Sequence, residues 1–378
     1  LAIGLLVFGV QVAAAVAAVT VYSLSIGLAQ IQRILGIARS KYDFAILPEP
    51  QGYGLASAAG LLFWGIGIGL PGCAFVLAAL QTTPLSPVDQ VTLAISGLLV
   101  LLSLYALLVE PHWIVIRRHD LPLPGIPSEF DEFRIVHVSD PHFRRPGPGV
   151  ARAVRRITAL EPDLICVTGD LADRADTENS PGVMGARQFF RGLKANYGVF
   201  VVYGDWDGLS SDWPSIETAI FRGTMAEPLN DAIRKIDVDG ATLNVMGRAP
   251  AHLKARRDYL SQLPTNGLSI VLHHFPFGAI RAAEVGAHLY LAGHTHGGQI
   301  RLPFVGRLYS SARGGTDRAG RSLARRFNSG LHHLGETWVH IARGLGTRGG
   351  DAPPIRFCCR PEITMLTIRK KTNRCIPS

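Results

Sequence analysis

The chain has 378 residues, a formal net charge of +9, 47% hydrophobic residues and five cysteines. That length leaves room for two or three domains. The odd cysteine count without C-x-x-C spacing argues against a disulfide scaffold and for free thiols in a reducing compartment. Charge and hydropathy are segregated. Only Arg33, Arg39 and Lys41 of the 38 basic residues precede residue 117, with Asp43, Glu49, Asp89 and Glu110 of the 29 acidic ones, which leaves 35 basic and 25 acidic residues in the remainder. A basic surface attracts phosphates, nucleic acid or anionic headgroups. The basic residues are not interleaved with stacking aromatics, so no nucleic-acid partner is expected.

In chain order, residues 1–28, 54–80 and 91–109 form three apolar runs, each long enough for a membrane helix of about 20 residues. Residues 1–116 are therefore read as a membrane region with about three transmembrane helices. No basic segment or small-residue cleavage site precedes the first run, which disfavours a cleaved signal peptide. The 29–53 loop holds Arg33, Arg39 and Lys41, the 81–90 loop holds no basic residue, and Arg117 and Arg118 follow the third run. Three spans make the protein multi-pass, and the positive-inside rule then puts the 29–53 loop and everything after residue 116 in the cytoplasm. With no ionisable residue at mid-span the helices read as an anchor rather than a transport path. Residues 117–132, rich in proline, read as a linker.

The remainder reads as strands alternating with helices, an α/β layout. A strand over 133–139 delivers Asp140 and His142, a metal-ligand pair of mixed oxygen and nitrogen type. An amphipathic helix covers 150–160. A buried strand, Leu164 onward, exits at Gly169-Asp170; another, from Val199, exits at Asp205-Trp206-Asp207; a fourth, from Ser269, exits at His273-His274. The last, Leu289–Ala292, leads into Gly293-His294-Thr295-His296-Gly297-Gly298. Histidines at i and i+2 in a glycine turn suit two metal ions a few ångströms apart. Five successive strands tipped by Asp or His predict a metal site at the carboxyl ends, where open α/β sheets bind ligands. Residues 310–330, rich in Gly, Ser and Arg, read as a mobile loop. Residues 371–378 read as a tail.

The series Asp140-Pro-His142, Gly169-Asp170, Gly204-Asp205-Trp206-Asp207, His274 and Gly293-His294-Thr295-His296 resembles the calcineurin-like metallophosphoesterase superfamily over residues 133–370. The flanks Gly297–Pro303, Arg343–Thr347 and Arg360–Ile363 are similar to its bacterial membrane-associated branch of phosphodiesterases and UDP-2,3-diacylglucosamine diphosphatases. The resemblance implies a two-sheet α/β sandwich with helices outside. It also implies two divalent metals, manganese first with iron, zinc or nickel as alternatives. Asp140, His142, Asp170 and His296 would hold one metal, and Asp170, Asp205, His274 and His294 the other. The implied activity is hydrolysis of a phosphodiester or pyrophosphate in a phosphorylated small-molecule or lipid substrate.

The sequence departs from that pattern where the superfamily has Asn then His. Asp205 still offers an oxygen, but the histidine position, which contacts the scissile phosphate and protonates the leaving group, is Trp206. Indole donates one hydrogen bond and cannot act as an acid. Three readings stand. The leaving group needs no acid, as in a nucleotide diphosphate sugar. Or His273 substitutes, although adjacent strand residues point to opposite faces. Or the protein is a catalytically weakened metal-binding membrane sensor or scaffold. Asp207, which would orient the absent histidine, would lose its partner. Arg144, Arg145 and Arg301 are candidates for substrate phosphate, or else solvated loop arginines.

Overall fold

A computed structural model describes residues 68, 71–74, 85–173, 175–250, 259–264, 266–307, 327–348 and 354–370. The chain divides into two compact units, residues 1–109 with 349–355, and residues 110–348 with 356–378.

In the first unit, helix α1 spans Pro87–Leu104 and runs on through a wider turn, Tyr105–Val109. Its start lies four residues before the apolar run because Ser86 caps it. The Asp89 N–H donates to Ser86 Oγ at 3.3 Å, the Asp89 carboxylate accepts the Ser86 N–H at 3.0 Å, and Pro87 opens the first turn. The helical stretch Pro87–His112, 26 residues or about 39 Å at 1.5 Å per residue, is long and apolar enough to cross a bilayer. It is the one such helix among the described residues. The first apolar run, and the second apart from Ile68 and residues 71–74, lie outside them.

Two six-stranded sheets build the second unit. The first runs β1 (Val115–Leu123), β14 (Glu362–Lys370), β2 (Arg134–Val138), β3 (Leu164–Thr168), β4 (Val199–Val202), β5 (Ala226–Pro228). The second runs β12 (Gly330–Leu334), β13 (Thr337–Ile341), β9 (Leu289–Ala292), β8 (Leu268–His273), β7 (Ala241–Arg248), β6 (Ala232–Val238). Strands β2 to β5 are mutually parallel, as are β7, β8, β9 and β13. Their near-continuous Val, Ile and Leu content follows from burial on both faces. Ile135, Leu164, Leu243, Ile270, Leu289 and their neighbours fill the space between the sheets. The outer face of the first sheet, Val136, Val138, Ile165 and Val167, is covered by α2 (Pro148–Thr158), α3 (Pro181–Gly192) and α4 (Trp213–Phe221). The outer face of the second packs on α5 (Ala279–Glu284). The expected two-sheet α/β sandwich is what forms.

The stretch expected to be a linker is different. Residues 117–123 belong to β1, paired in parallel with β14, and Ser128–Phe130 form a short 3-10 turn. Pro122 is compatible with a strand because β1 is the sheet edge, where a missing N–H breaks no ladder. Leu121, Leu123, Ile126 and Phe130 are buried in the inter-sheet core, and each such side chain contributes about 1.5–3 kcal/mol. Glu110, where the chain enters this unit, is also buried; its carboxylate accepts the Cys358 N–H at 2.9 Å and the Cys359 N–H at 2.5 Å.

Candidate metal centre

Strand β2 leads to Asp140 and His142, β3 to Asp170, β4 to Asp205 and Trp206, β8 to His274, and β9 to His294 and His296. These exits converge. The ligand atoms of Asp140, His142, Asp170 and His296 lie within 4.8 Å of one another, and those of Asp205, His274 and His294 form a second such group. Asp170 reaches both, with Oδ2 3.3 Å from His142 Nε2 and 3.5 Å from His274 Nε2.

Holding so many polar groups together strains the backbone. Asp140, His142, Asp170, His294 and His296 all adopt left-handed φ values between 41° and 66°. Each such residue costs on the order of 1–3 kcal/mol, and clusters of them mark functional sites. Two glycines admit the close approach. A Cβ on Gly204 would collide with Asp170 Oδ1, and one on Gly293 with Ser139 Oγ and Asp140 Oδ2.

The ring partners fix which nitrogens carry hydrogen. His142 Nδ1 is 2.9 Å from Asp173 Oδ1, and a carboxylate only accepts, so Nδ1 donates and Nε2 keeps its lone pair. His274 Nδ1 is 2.8 Å from the Thr168 carbonyl, with the same consequence. Nε2 of His142 then faces His296 Nε2 at 3.2 Å, and Nε2 of His274 faces His294 Nδ1 at 3.2 Å and Asp205 Oδ1 at 2.8 Å. Lone pairs and carboxylate oxygens converge twice, and the facing ring in each group, His296 or His294, could offer them one N–H when neutral, while His296 Nδ1 is buried with no hydrogen-bond partner among the described residues. One hydrogen per group leaves further lone pairs and carboxylate oxygens facing one another, and a cation meets all of them at once, so the residues fit two metal ions. Mixed oxygen and imidazole donors suit manganese, iron, zinc or nickel.

The proton affinities agree. Burial raises the Asp140 carboxyl, and the Asp170 charge adds to this, against the pull of His274 and His142. Burial also works against charge on Asp205, yet the hydrogen bonds that His274 and His294 give it when protonated hold its carboxyl well below the usual range. For His142 burial favours the neutral ring, but Asp170 and Asp173 outweigh it and hold its pKa at about 10. A site that takes up protons where its lone pairs meet exchanges them for metal.

The other sequence candidates fall in different places. Trp206 is at the site: its backbone N–H donates to Asp170 Oδ1 at 3.0 Å, and its indole stands edge-on to His142, centroids 6.0 Å apart. Asp207 has not lost its role. It is buried and accepts from the backbone N–H groups of Asp170, Gly204 and Leu171 at 2.8, 2.8 and 3.0 Å, which pins the two metal-bearing turns together. Burial, reinforced by Asp170, pushes its carboxyl up to about 6. His273 is not brought to the cluster. It lies on the outer face of β8, Nδ1 2.8 Å from the Tyr290 hydroxyl, which itself donates to the Phe275 carbonyl at 2.6 Å. Burial, with Arg248 adding to it, keeps that ring neutral, so it is a packed core histidine and not a substitute acid. Arg144 Nε donates to Asp173 Oδ2 at 3.1 Å, bracing the carboxylate that holds His142. Arg301 lies on β10 (Arg301–Leu302), its N–H bound to the Phe357 carbonyl at 2.8 Å.

Sequence reading missed Asp173, although its position three residues past Asp170 was visible. It also missed Arg356, whose guanidinium is fully buried and donates to the carbonyls of Arg343, Gly344, Gly346 and Cys359. That one cation ties together the loops behind Asp140 and His296. Its charge and that of Arg348 add to burial in lowering the His296 pKa.

The calcineurin-like phosphoesterase family model matches residues 133–298. The Bacillus subtilis metallophosphoesterase YkuE is 32% identical over 275 residues, covering 71% of this chain and 90% of its own length. A Bos taurus transmembrane protein with metallophosphoesterase domain is 28% identical over 277 residues, 66% of this chain and 56% of that one. The UDP-2,3-diacylglucosamine pyrophosphatase LpxG of Chlamydia trachomatis is 25% identical over 311 residues, 68% of this chain and 90% of its own. The chain belongs to the calcineurin-like phosphoesterases, metal-dependent hydrolases of phosphoric esters.

Proposed function

We propose that the protein is a membrane-anchored two-metal phosphoesterase that cleaves a phosphodiester or pyrophosphate bond, in a lipid-linked or nucleotide-sugar substrate of the UDP-2,3-diacylglucosamine kind. The observation that carries the reading is Asp170, one carboxylate placed between two convergent sets of imidazoles and carboxylates. Asp140, His142, Asp170 and His296 hold one metal; Asp170, Asp205, His274 and His294 hold the other; manganese is the first choice. When bound, two such cations neutralise charge on the phosphoryl oxygens and supply a water of lowered pKa.

Trp206 narrows the substrate. With no acid at that position, and with His273 turned to the outer face, the leaving group departs unprotonated. A phosphate monoester leaving from a pyrophosphate is stable as an anion near neutral pH; an alkoxide is not. General-acid help is worth about 10²–10⁴-fold, so its absence selects activated bonds. The helix Pro87–His112, the bovine relative's name and the LpxG likeness support an anchor and an amphiphilic substrate. Arg33, Arg39 and Lys41 in one loop, with Arg117 and Arg118 after the last apolar run, support a multi-pass protein whose catalytic unit faces the cytoplasm.

The test is hydrolysis by the full chain in detergent with added Mn²⁺. Bis-p-nitrophenyl phosphate, p-nitrophenyl phosphate and a UDP-sugar run in parallel, with wild type, Asp170→Asn and Trp206→His. Wild type is expected to cleave the pyrophosphate and the activated diester, and Asp170→Asn to lose both. Wild type inert on all three while Trp206→His turns over would replace this reading with that of a metal-binding sensor.

A further inference from the structure

Three residues beyond the metal-bearing turn, strands β10 and β11 (Gly306–Arg307) form a small hairpin that joins neither main sheet. Arg301 pairs with Arg307 at its base and Leu302 with Gly306 above them. The tip is Pro303-Phe304-Val305. Leu302 is 38% exposed, Val305 71% and Phe304 109%, so none of the described residues screens that phenyl ring. Single exposed apolar residues are ordinary on soluble surfaces, and the other large ones among the described residues of this unit are isolated in the sequence. Three in four residues on a projecting turn are not ordinary.

The hairpin is braced rather than loose. Ile300 bridges to Phe357, the Phe357 N–H donates to the Gln299 carbonyl at 3.1 Å, and the Arg348 N–H donates to Gln299 Oε1 at 2.7 Å. The Gln299 N–H in turn donates to the His296 carbonyl at 3.0 Å. The base is therefore tied directly to a metal-ligand turn.

We propose that this hairpin is a membrane-contact element: Leu302, Phe304 and Val305 enter the interface of an anionic phospholipid surface, and Arg301 and Arg307 meet its headgroup phosphates. An apolar tip over a cross-strand pair of arginines is the charge and hydropathy profile of an interfacial segment, whose apolar groups sit at the headgroup–acyl boundary while long cationic side chains stay at the phosphates. The geometry has a consequence for the substrate. Phe304 is eight residues past His296, so their Cα atoms are at most about 28 Å apart even for a fully extended chain. Insertion of the tip holds the metal centre within that distance of the headgroup plane, where the phosphate of an amphiphilic substrate lies. The inference rests on the reading of the protein as a membrane-anchored enzyme.

The test uses the full chain carrying Phe304→Trp, with wild-type fluorescence subtracted to remove the five native tryptophans. The protein is presented both reconstituted in nanodiscs and added to preformed vesicles, each of phosphatidylglycerol with phosphatidylcholine, with or without bromines near the glycerol end of the acyl chains. The reporter indole is expected to shift to the blue and to lose roughly half or more of its intensity in brominated bilayers, since interfacial insertion reaches about 5–10 Å into the boundary. Pure phosphatidylcholine or high salt should weaken the quenching. Solvent-like emission without bromine quenching in both presentations overturns the proposal. So does a blue shift that depends on protein concentration and not on lipid, which would mark a protein contact instead. Incorporation into discs is scored separately by size exclusion, and no substrate is present. Failure of the anchor, of the catalytic reading and of the hairpin are thus read apart.

Discussion

Among the described residues, two groups of histidines meet in the interior of this sandwich, and they differ in what surrounds them. His137 on β2 and His340 on β13 meet between the sheets with their Nδ1 atoms 2.7 Å apart. His137 Nε2 is 2.8 Å from Thr168 Oγ1, and His340 Nε2 is 4.0 Å from Glu362 Oε1. One set of neutral tautomers fits the two short contacts: the Thr168 hydroxyl donates to His137 Nε2 and His137 Nδ1 donates to His340 Nδ1, which leaves the His340 Nε2–H near Glu362 but without a hydrogen bond among the described residues. The pair is neutral and its lone pairs are used. At the metal centre the outer nitrogens donate away, to Asp173 and to the Thr168 carbonyl, and the inner lone pairs are left facing carboxylates. Thr168 separates the two, its hydroxyl serving the pair and its carbonyl serving the site. Burial alone does not make a histidine a ligand; convergence of acceptors does.

The largest effect follows from removing the shared acceptor. Asp170→Asn keeps the side-chain shape and an oxygen for the Trp206 N–H, but loses the charge that lies between both groups. Transition-state stabilisation worth several kcal/mol goes with it, an expected loss of about 10³-fold in kcat. Bound metal, read by elemental analysis, should fall below two per chain. Retention of two metals and near-normal turnover would remove the distinction between the two histidine groups.

The neutral pair should show itself in acid. Burial pulls the His137 pKa down to about 3, and burial also lowers His340, with His137, His119, His332 and Arg117 adding to the effect. An unfolded histidine titrates near 6.5. Between these values the unfolded chain binds the extra protons, so stability is full above about pH 6.5 and falls as pH drops toward 3. Each tenfold change in a proton equilibrium is worth about 1.4 kcal/mol, so the loss from His137 by pH 5 is about 2 kcal/mol. Thermal unfolding of the metal-free protein from pH 6.5 to 5 should therefore be steeper for wild type than for His137→Gln. Equal slopes would mean that the pair is not neutral in the folded state.

Asp173 sharpens the comparison from the metal side. Its carboxylate keeps the His142 lone pair pointed inward, as such outer carboxylates do for metal-bound imidazoles. Asp173→Asn should weaken metal affinity by about 10–100-fold, read by calorimetric titration, while leaving the fold intact. An unchanged affinity would show that the ring is held by packing alone.

Much of this was legible beforehand. The five Asp- or His-tipped strands needed only β-rich runs and their exits, because parallel strands buried on both faces leave an almost unbroken apolar signal. The metal residues were visible for the same reason: each directly follows such a run. What failed depended on the third dimension. Residues 117–123 looked like linker because proline is read as a breaker, and only sheet order reveals that β1 is an edge. His273 and His274 are adjacent letters, and strand alternation alone separates the Tyr290 partner from the ligand. Arg356 carries no sequence signal at all, since its carbonyl partners are backbone atoms of loops set by other strands.

Arg144 gives the smallest effect and divides two roles that sequence could not. As a substrate-binding arginine it would raise KM on truncation. In the structure its Nε instead donates to the Asp173 carboxylate, with 39% of the side chain exposed. A solvated pair of that kind is worth up to about 1 kcal/mol, and Arg144 acts on His142 only through Asp173. Arg144→Ala should therefore weaken metal affinity by at most about fivefold. KM measured at saturating metal should be unchanged, and the effect should vanish in an Asp173→Asn background because the two residues share one path. A KM increase that survives both saturating metal and the second substitution would put Arg144 on the substrate instead. The metal centre would then depend on Asp173 without its cation.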